Sequence, residues 1–137
     1  MKRVYPVILT QVEDCVLVEV PDLEILTQGK DLADAMDMAR DAIGLTIVVM
    51  QDKEQDIPEP SIEANINVKA STFAEDGMGM LALVDIDVEA YRRKYDNKTV
   101  RRNVTLPNWL NKEAEKAHLN VSRVLQEALM LKLGVSR

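Results

Sequence analysis

The chain has 137 residues, 47% hydrophobic and 29% charged, the size of one domain or two small ones and long enough to bury about two-thirds of its unfolded surface. Its 4% aromatics, 5 Gly and 5 Pro exclude a disordered or collagen-like chain, and its one cysteine, Cys15, excludes an internal disulfide or a cysteine-based zinc site and points to a reducing compartment. The net charge of −6 hides a division: residues 1–90 hold 6 Lys and Arg against 19 Asp and Glu, a net of −13, whereas residues 91–137 hold 11 against 4, a net of +7. Such asymmetry suits an acidic surface for one partner and a basic one for another, nucleic acid being the common partner of a basic segment.

The first fifteen residues carry two basic side chains, but the apolar stretch after them is broken by Pro6 and Thr10 and ends in Glu13-Asp14, unlike a secretory signal. The longest apolar stretch, Ile43 to Met50, is interrupted by Gly44 and Thr46 and falls far short of the roughly 20 residues a bilayer requires. The expectation is a cytoplasmic protein with no membrane span.

Tyr5–Thr10 and Cys15–Val20 are runs of β-branched and apolar residues separated by polar Gln11-Val-Glu-Asp14, the pattern of a two-stranded hairpin ended by Pro21-Asp22. A third short strand fits Glu24–Thr27. Asp31 is suited to cap a helix with Asp34 in its first turn. The helix carries Leu32, Ala35, Met36, Ala39, Ala42, Ile43 and Ile47 as one apolar stripe, with Asp34, Asp37, Arg40 and Asp41 on its wet side. Residues 52–60, charged and with two prolines, predict a loop, and 61–79 lack a clear period, fitting a short helix followed by turns. Met80–Val88 alternates apolar residues with acids as a fourth strand with one exposed face, and Glu89–Tyr95 predicts a helical turn. The polar stretch Asp96-Asn-Lys sits where the charge changes sign, which places a linker at 93–100 and divides the chain into domains at 1–95 and 96–137.

Arg101–Leu106 alternates, with Val104 and Leu106 on one face and Arg101, Asn103 and Thr105 on the other. Pro107 stops that strand and starts a helix striped by Leu110, Ala114 and Ala117. Asn120 caps a second helix whose buried face is Val121, Val124, Leu125, Ala128 and Leu131, and Gly134 ends it. Some 34 residues of this kind cannot enclose a core, since independent folding below about 40 residues usually needs a metal, disulfides or a partner. The economical solution is a homodimer in which two Arg101–Leu106 strands pair antiparallel over a core of Val104, Leu106, Leu110, Val124, Leu125 and Ala128. The opposite face of that ribbon would then present two copies of Arg101, Asn103 and Thr105 to base edges in a major groove. The helix start at Asn120, Val121 and Ser122 would offer backbone N–H groups to a phosphate, with Arg123 adding charge.

At these residues the chain resembles two known modules. The C-terminal part resembles the ribbon-helix-helix family of dimeric repressors, with the strand alternation, Pro107 and Leu119-Asn-Val-Ser122 in register. The N-terminal part resembles the HicB antitoxin family through Pro21-Asp22-Leu23, Thr27-x-Gly29, Asp31-Leu-Ala-Asp-Ala-Met36 and Ile57-Pro-Glu-Pro-Ser61, in that family's order and spacing. It departs from the family at Val20, where an aromatic often precedes the Pro-Asp pair, and at Glu24-Ile25, which replaces a frequent Pro-Gly. The resemblance implies an α+β chain: a partial ribonuclease-H-like N-terminal domain, a small antiparallel sheet with a packed helix, followed by a dimeric ribbon-helix-helix domain. It also implies a function without catalysis, neutralising a HicA-like mRNA interferase and repressing transcription from the chain's own operator DNA.

A ribonuclease-H-like fold raises the alternative that Asp14, Glu19, Asp22, Asp85 and Asp87 form a two-metal nuclease site. An acidic surface steering a basic toxin onto Glu19, Asp22, Asp85 and Asp87 is preferred, and no cofactor is expected. A ligand-sensing repressor without a toxin partner is the other alternative. His118 has no ligand or triad pattern near it, and Cys15 begins an apolar strand, so both read as structural. Met36, Met38, Met78 and Met80 read as adaptable filler or as part of a toxin contact, and Trp109 fits either the flank of a dimer core or a phosphate contact.

Overall fold

A computed structural model describes residues 1–135, and the chain divides into two compact units, Met1–Asp96 and a second that begins at Asn97. The first unit contains β1 (Lys2–Gln11), β2 (Val16–Val20), β3 (Ile25–Gly29), α1 (Leu32–Asp52), β4 (Met78–Asp87) and α2 (Val88–Tyr95). Its strands form one antiparallel sheet in the order β3-β2-β1-β4. β1 and β4 pair over their full length from Lys2↔Asp87 to Gln11↔Met78, whereas β2 meets β1 only from Ile8↔Glu19 to Gln11↔Val16. Pro6 therefore lies where β1 has no β2 neighbour, the edge setting in which a missing N–H is tolerated.

Strand alternation sends Tyr5, Val7 and Leu9 of β1, Val16, Val18 and Val20 of β2, and Val84 and Ile86 of β4 to one face, where all are buried. α1 crosses this face and covers it with Ala35, Ala39, Ile43 and Ile47, all fully buried. Its start is fixed by Asp31, whose Oδ1 accepts from Asp34 N at 2.8 Å, and by Asp34, whose Oδ2 accepts from Lys30 N at 2.7 Å. Gly29 brings β3 against that first turn, since a Cβ there would stand 2.3 Å from Ala35 N. α1 ends on Glu54, whose φ of 54° lets Gln55 N reach Met50 O at 2.9 Å. α2 packs beside α1 at Gly44, where a Cβ would meet the Tyr91 ring at 2.5 Å, and Arg92 holds Asp52 at 3.0 Å and Gln51 at 2.9 Å.

Two expectations for this unit need correction. Leu32, expected in the core stripe, is the first residue of α1 and is 45% exposed. β1 and β4 are longer than their apolar runs, β1 beginning at Lys2 and β4 at Met78, because each completes the other's hydrogen-bond ladder beyond those runs. Residues 61–77 hold two short 3-10 helices, Glu63–Asn65 and Val68–Ala70, followed by turns. This segment covers the second face of the sheet where Ile8 and Thr10 lie, and a Cβ on Gly79 would stand 2.5 Å from Val68.

Thr10 is fully buried beneath this segment, and its hydroxyl has no hydrogen-bond partner among the described residues. Thr10→Val, which exchanges the lone hydroxyl for a methyl of similar shape, should therefore raise unfolding stability by about 1 kcal/mol. A lower urea midpoint for this variant would mean that the hydroxyl makes a bond of its own.

The second unit contains α3 (Asn108–Lys116) and α4 (Val121–Leu133). α3 follows Pro107 and ends in a left-handed residue, His118 (φ 54°), with Leu119 N on Ala114 O at 3.1 Å and His118 N on Glu115 O at 3.1 Å. These two bonds satisfy the last carbonyls of α3 and give His118 a place in the fold. Asn120 Oδ1 accepts from Arg123 N at 3.2 Å to start α4, and Gly134 (φ 67°) ends it. Residues 96–107 contain neither helix nor strand, so the expected strand Arg101–Leu106 is not formed within one chain. A strand is defined by its ladder, and nothing in this single chain pairs with that segment.

Candidate interaction surfaces

The four acids expected to face a toxin do not form one cluster. Glu19 stands on the sheet face covered by residues 61–77, where it accepts from Ser71 Oγ at 2.7 Å, Thr72 N at 3.0 Å and Thr72 Oγ1 at 2.8 Å. Asp22, in the turn after β2, accepts from the backbone N–H of Ser61 at 2.8 Å and from its hydroxyl. Both carboxylates therefore serve the fold by tying residues 61–77 to the sheet. The same bonds account for the spacing of Pro21-Asp22 and Ile57–Ser61, because Pro58 O also accepts from Tyr5 Oη at 2.7 Å and from Arg3 at 3.2 Å.

Burial raises the Glu19 pKa, but the hydrogen bonds from Ser71 and Thr72 outweigh it and hold the carboxyl below its ordinary 4.5. A depressed folded-state pKa means that this contribution is complete above about pH 4.5 and is lost as pH falls through the lower folded value. Glu19→Gln should therefore flatten the acid limb of stability. Urea midpoints of the two proteins, compared at pH 7 and pH 3.5, should converge at the lower pH, and a constant gap would contradict the assignment.

Asp85 and Asp87 lie at the far end of β4, Asp85 opposite Val4, while Glu19 is opposite Ile8; four residues of strand separate the two levels by roughly 13 Å. Arg40 reaches Asp85 Oδ1 at 3.1 Å and Asp85 O at 3.1 Å, and Asp87 Oδ1 caps α2 by accepting from Ala90 N at 3.1 Å. Together with Asp37, Asp41 and Tyr91 these residues line an open groove of about 610 Å³ between α1, α2 and β4. Tyr91 Oη meets Asp41 at 3.1 Å, and burial, then the Asp41 charge, push the phenol up to about 12 from 10.0. Tyr91 therefore remains a neutral donor at any working pH. Among the described residues no three His, Cys, Asp or Glu side chains come together as a metal site, so Asp14, Glu19, Asp22, Asp85 and Asp87 do not make a two-metal centre.

A feature foreshadowed only by Met38 lies on α1. Besides the core stripe, Met38, Leu45 and Val49 are 39%, 55% and 40% exposed, with Ala42 half-buried between them. The signal was present as a second phase of the same helical period, hidden because Ala42 was assigned to the core.

In the second unit every residue expected at DNA, Arg101, Asn103, Thr105, Asn120, Val121, Ser122 and Arg123, is exposed. Arg123 Nε rests on Glu127 Oε1 at 3.2 Å, an exposed helical ion pair. The residues expected in the dimer core are also uncovered: Val104 53%, Leu106 41%, Leu110 40%, Val124 46% and Leu125 37% exposed, with Ala128 exposed as well. Trp109 is 67% exposed. No residue of α3 or α4 is buried.

The chain thus joins an acidic α+β unit to a small basic unit of two helices in which no residue is buried. Residues 5–128 match the model of the HicB-like antitoxins of bacterial toxin–antitoxin systems, and the chain belongs to that family. Its fold is similar to a chain of a toxin–antitoxin complex from Streptococcus pneumoniae, at 23% identity over 96% of this chain and 99% of that one, with a TM-score of 0.61. It is also similar to the antitoxin HicB of Burkholderia pseudomallei, at 22% identity over 96% and 97%, with a TM-score of 0.52. No curated protein matches the chain. Among the described residues no helix is long and apolar enough to cross a membrane.

Proposed function

We propose that this antitoxin acts in the cytoplasm through both units. Residues 1–95 cover a HicA-like mRNA interferase and silence it, while residues 96–137 join a second copy in a ribbon-helix-helix dimer that binds operator DNA and represses transcription. The chain carries out no catalysis in this reading. The observation that carries it is the coincidence of the structural boundary with the change of charge: Met1–Asp96 holds 9 Lys and Arg against 20 Asp and Glu, and the residues from Asn97 on hold 8 against 3. An acidic unit is suited to a protein that itself binds RNA through basic residues, and a basic one to phosphates.

Each unit supports its part. A four-stranded antiparallel sheet crossed by one helix is what a partial ribonuclease-H-like fold presents, here without a metal cluster among the described residues. Asp85, exposed even with its Arg40 partner, and Asp87 beside it in the groove are the acids offered to a toxin, since Glu19 and Asp22 lie against residues 61–77 and are used up in holding them. In the second unit, exposed Val104, Leu106, Leu110, Val124, Leu125 and Ala128 become covered when two chains pair, and the pairing gives Arg101–Leu106 the ladder it lacks alone. Arg101, Asn103 and Thr105 then face the bases, and Asn120, Val121 and Ser122 hold a phosphate at the start of α4, with Arg123 beside them. Co-expression with the product of the neighbouring gene tests the reading. Growth arrested by that product alone should be restored by this chain, and arrest that persists would overturn it.

A further inference from the structure

We infer that the outer face of α1 is the surface on which the toxin docks, its apolar centre formed by Met38, Leu45 and Val49; this rests on the antitoxin reading above. Residues 38, 42, 45 and 49 are spaced i, i+4, i+7 and i+11, which at 3.6 residues per turn places them within about 60° of one another. The stripe runs for about 17 Å along the helix. The core stripe of α1, Ala35, Ala39, Ile43 and Ile47, lies buried on the sheet, its centre about 110° round the helix from this row. A helix that packs on one sheet needs one apolar stripe, and α1 has two. Single exposed apolar residues are ordinary, but an aligned row is the form an interface takes.

The charges beside the row decide what covers it. Asp34, Asp41 and Asp52 fall along one flank at the same helical period, with Asp37 a step further round. Asp41 and Asp52 each accept one bond from α2, from Tyr91 at 3.1 Å and Arg92 at 3.0 Å, and Asp34 accepts from Lys30 N, which leaves open lone pairs on all three. A second copy of this unit would bring a matching acidic row and a net charge of the same sign, so self-pairing across α1 is opposed. A basic protein surface with an apolar centre is complementary to both features, apolar at the middle and acidic at the rim. The unbranched Met38 side chain can adjust to such a surface at little cost.

The test uses the full chain and the purified toxin encoded beside it. Leu45→Lys with Val49→Lys should weaken toxin binding about 100-fold while leaving the unfolding midpoint unchanged, because both side chains already face water. Met38→Gln, a milder change, should weaken it about tenfold. Leu26→Lys, at a 55% exposed position on β3 outside the proposed surface, should stay within about twofold. If the unaltered chain does not bind the toxin, the antitoxin reading fails. If it binds and the α1 variants bind equally well, the antitoxin reading stands and the assignment of the docking surface is overturned. A double variant that lowers the chain's mass in solution with toxin affinity unchanged would likewise overturn it, by showing that the row joins copies of this chain.

Discussion

Leu125→Ala is expected to dissociate the proposed dimer and, with it, operator binding. In the single chain Leu125 is 37% exposed, near the middle of α4, in line with Val121, Val124 and Ala128. Pairing two chains would bury it, and truncating a buried leucine costs about 2–5 kcal/mol. Both copies lose the side chain, so the penalty falls twice on one interface. The second unit has little to offset it, since no residue of α3 or α4 is buried. Light scattering should find a dimer for the unaltered protein and a monomer for the variant, and DNA titration should show the variant binding at no better than the level of random sequence. An unaltered protein that is monomeric at micromolar concentration would contradict the dimer.

Asn103→Ala and Arg123→Ala should weaken DNA binding in different ways. In the proposed ribbon, alternation would set Asn103 on the side opposite Val104 and Leu106, where its amide suits the N6 and N7 edge of adenine. Its loss should cost about 1–3 kcal/mol per base pair it reads and relax the preference at that position, once in each half of a palindromic operator. Arg123, in the proposed complex, meets phosphate and not a base. Its ion pair with Glu127 is exposed, worth at most about 1 kcal/mol, and can be exchanged for a phosphate. Arg123→Ala should weaken binding to all sequences and reduce the salt slope by about one for each phosphate left without its cation. Should Asn103→Ala lower operator and random-DNA affinity equally, the ribbon is not the element that reads sequence.

Where the sequence foretold the fold, the cause was local. The Cys15–Val20 run, the Asp31 cap and the Ala35, Ala39, Ile43, Ile47 row each depend on neighbours a few residues away, and each is found in place. The caps at Asn120 and Gly134 follow from the same short-range chemistry. Residues 61–77 resisted reading because their hold is non-local: Ser61 is fixed by Asp22 and Ser71 by Glu19, pairs that lie 39 and 52 residues apart. For the same reason Glu19 and Asp22 looked like surface acids when read along the strand. Leu45 and Val49 passed as ordinary helix residues, and Met38 as filler or a toxin contact, because one apolar phase was enough to seat α1 on the sheet. The segment Arg101–Leu106 shows alternation without a ladder, since the sequence encodes the faces of a strand while a ladder requires a neighbour.

RNA cleavage by the purified product of the neighbouring gene, the proposed toxin, measured as the full-length chain is added, tests the central claim most directly. Neutralisation by occlusion predicts that cleavage falls in proportion to added chain and ceases near stoichiometric amounts, with no cleavage by the chain itself in the presence of Mg²⁺. Undiminished cleavage at saturating chain, or cleavage by the chain alone, would contradict it.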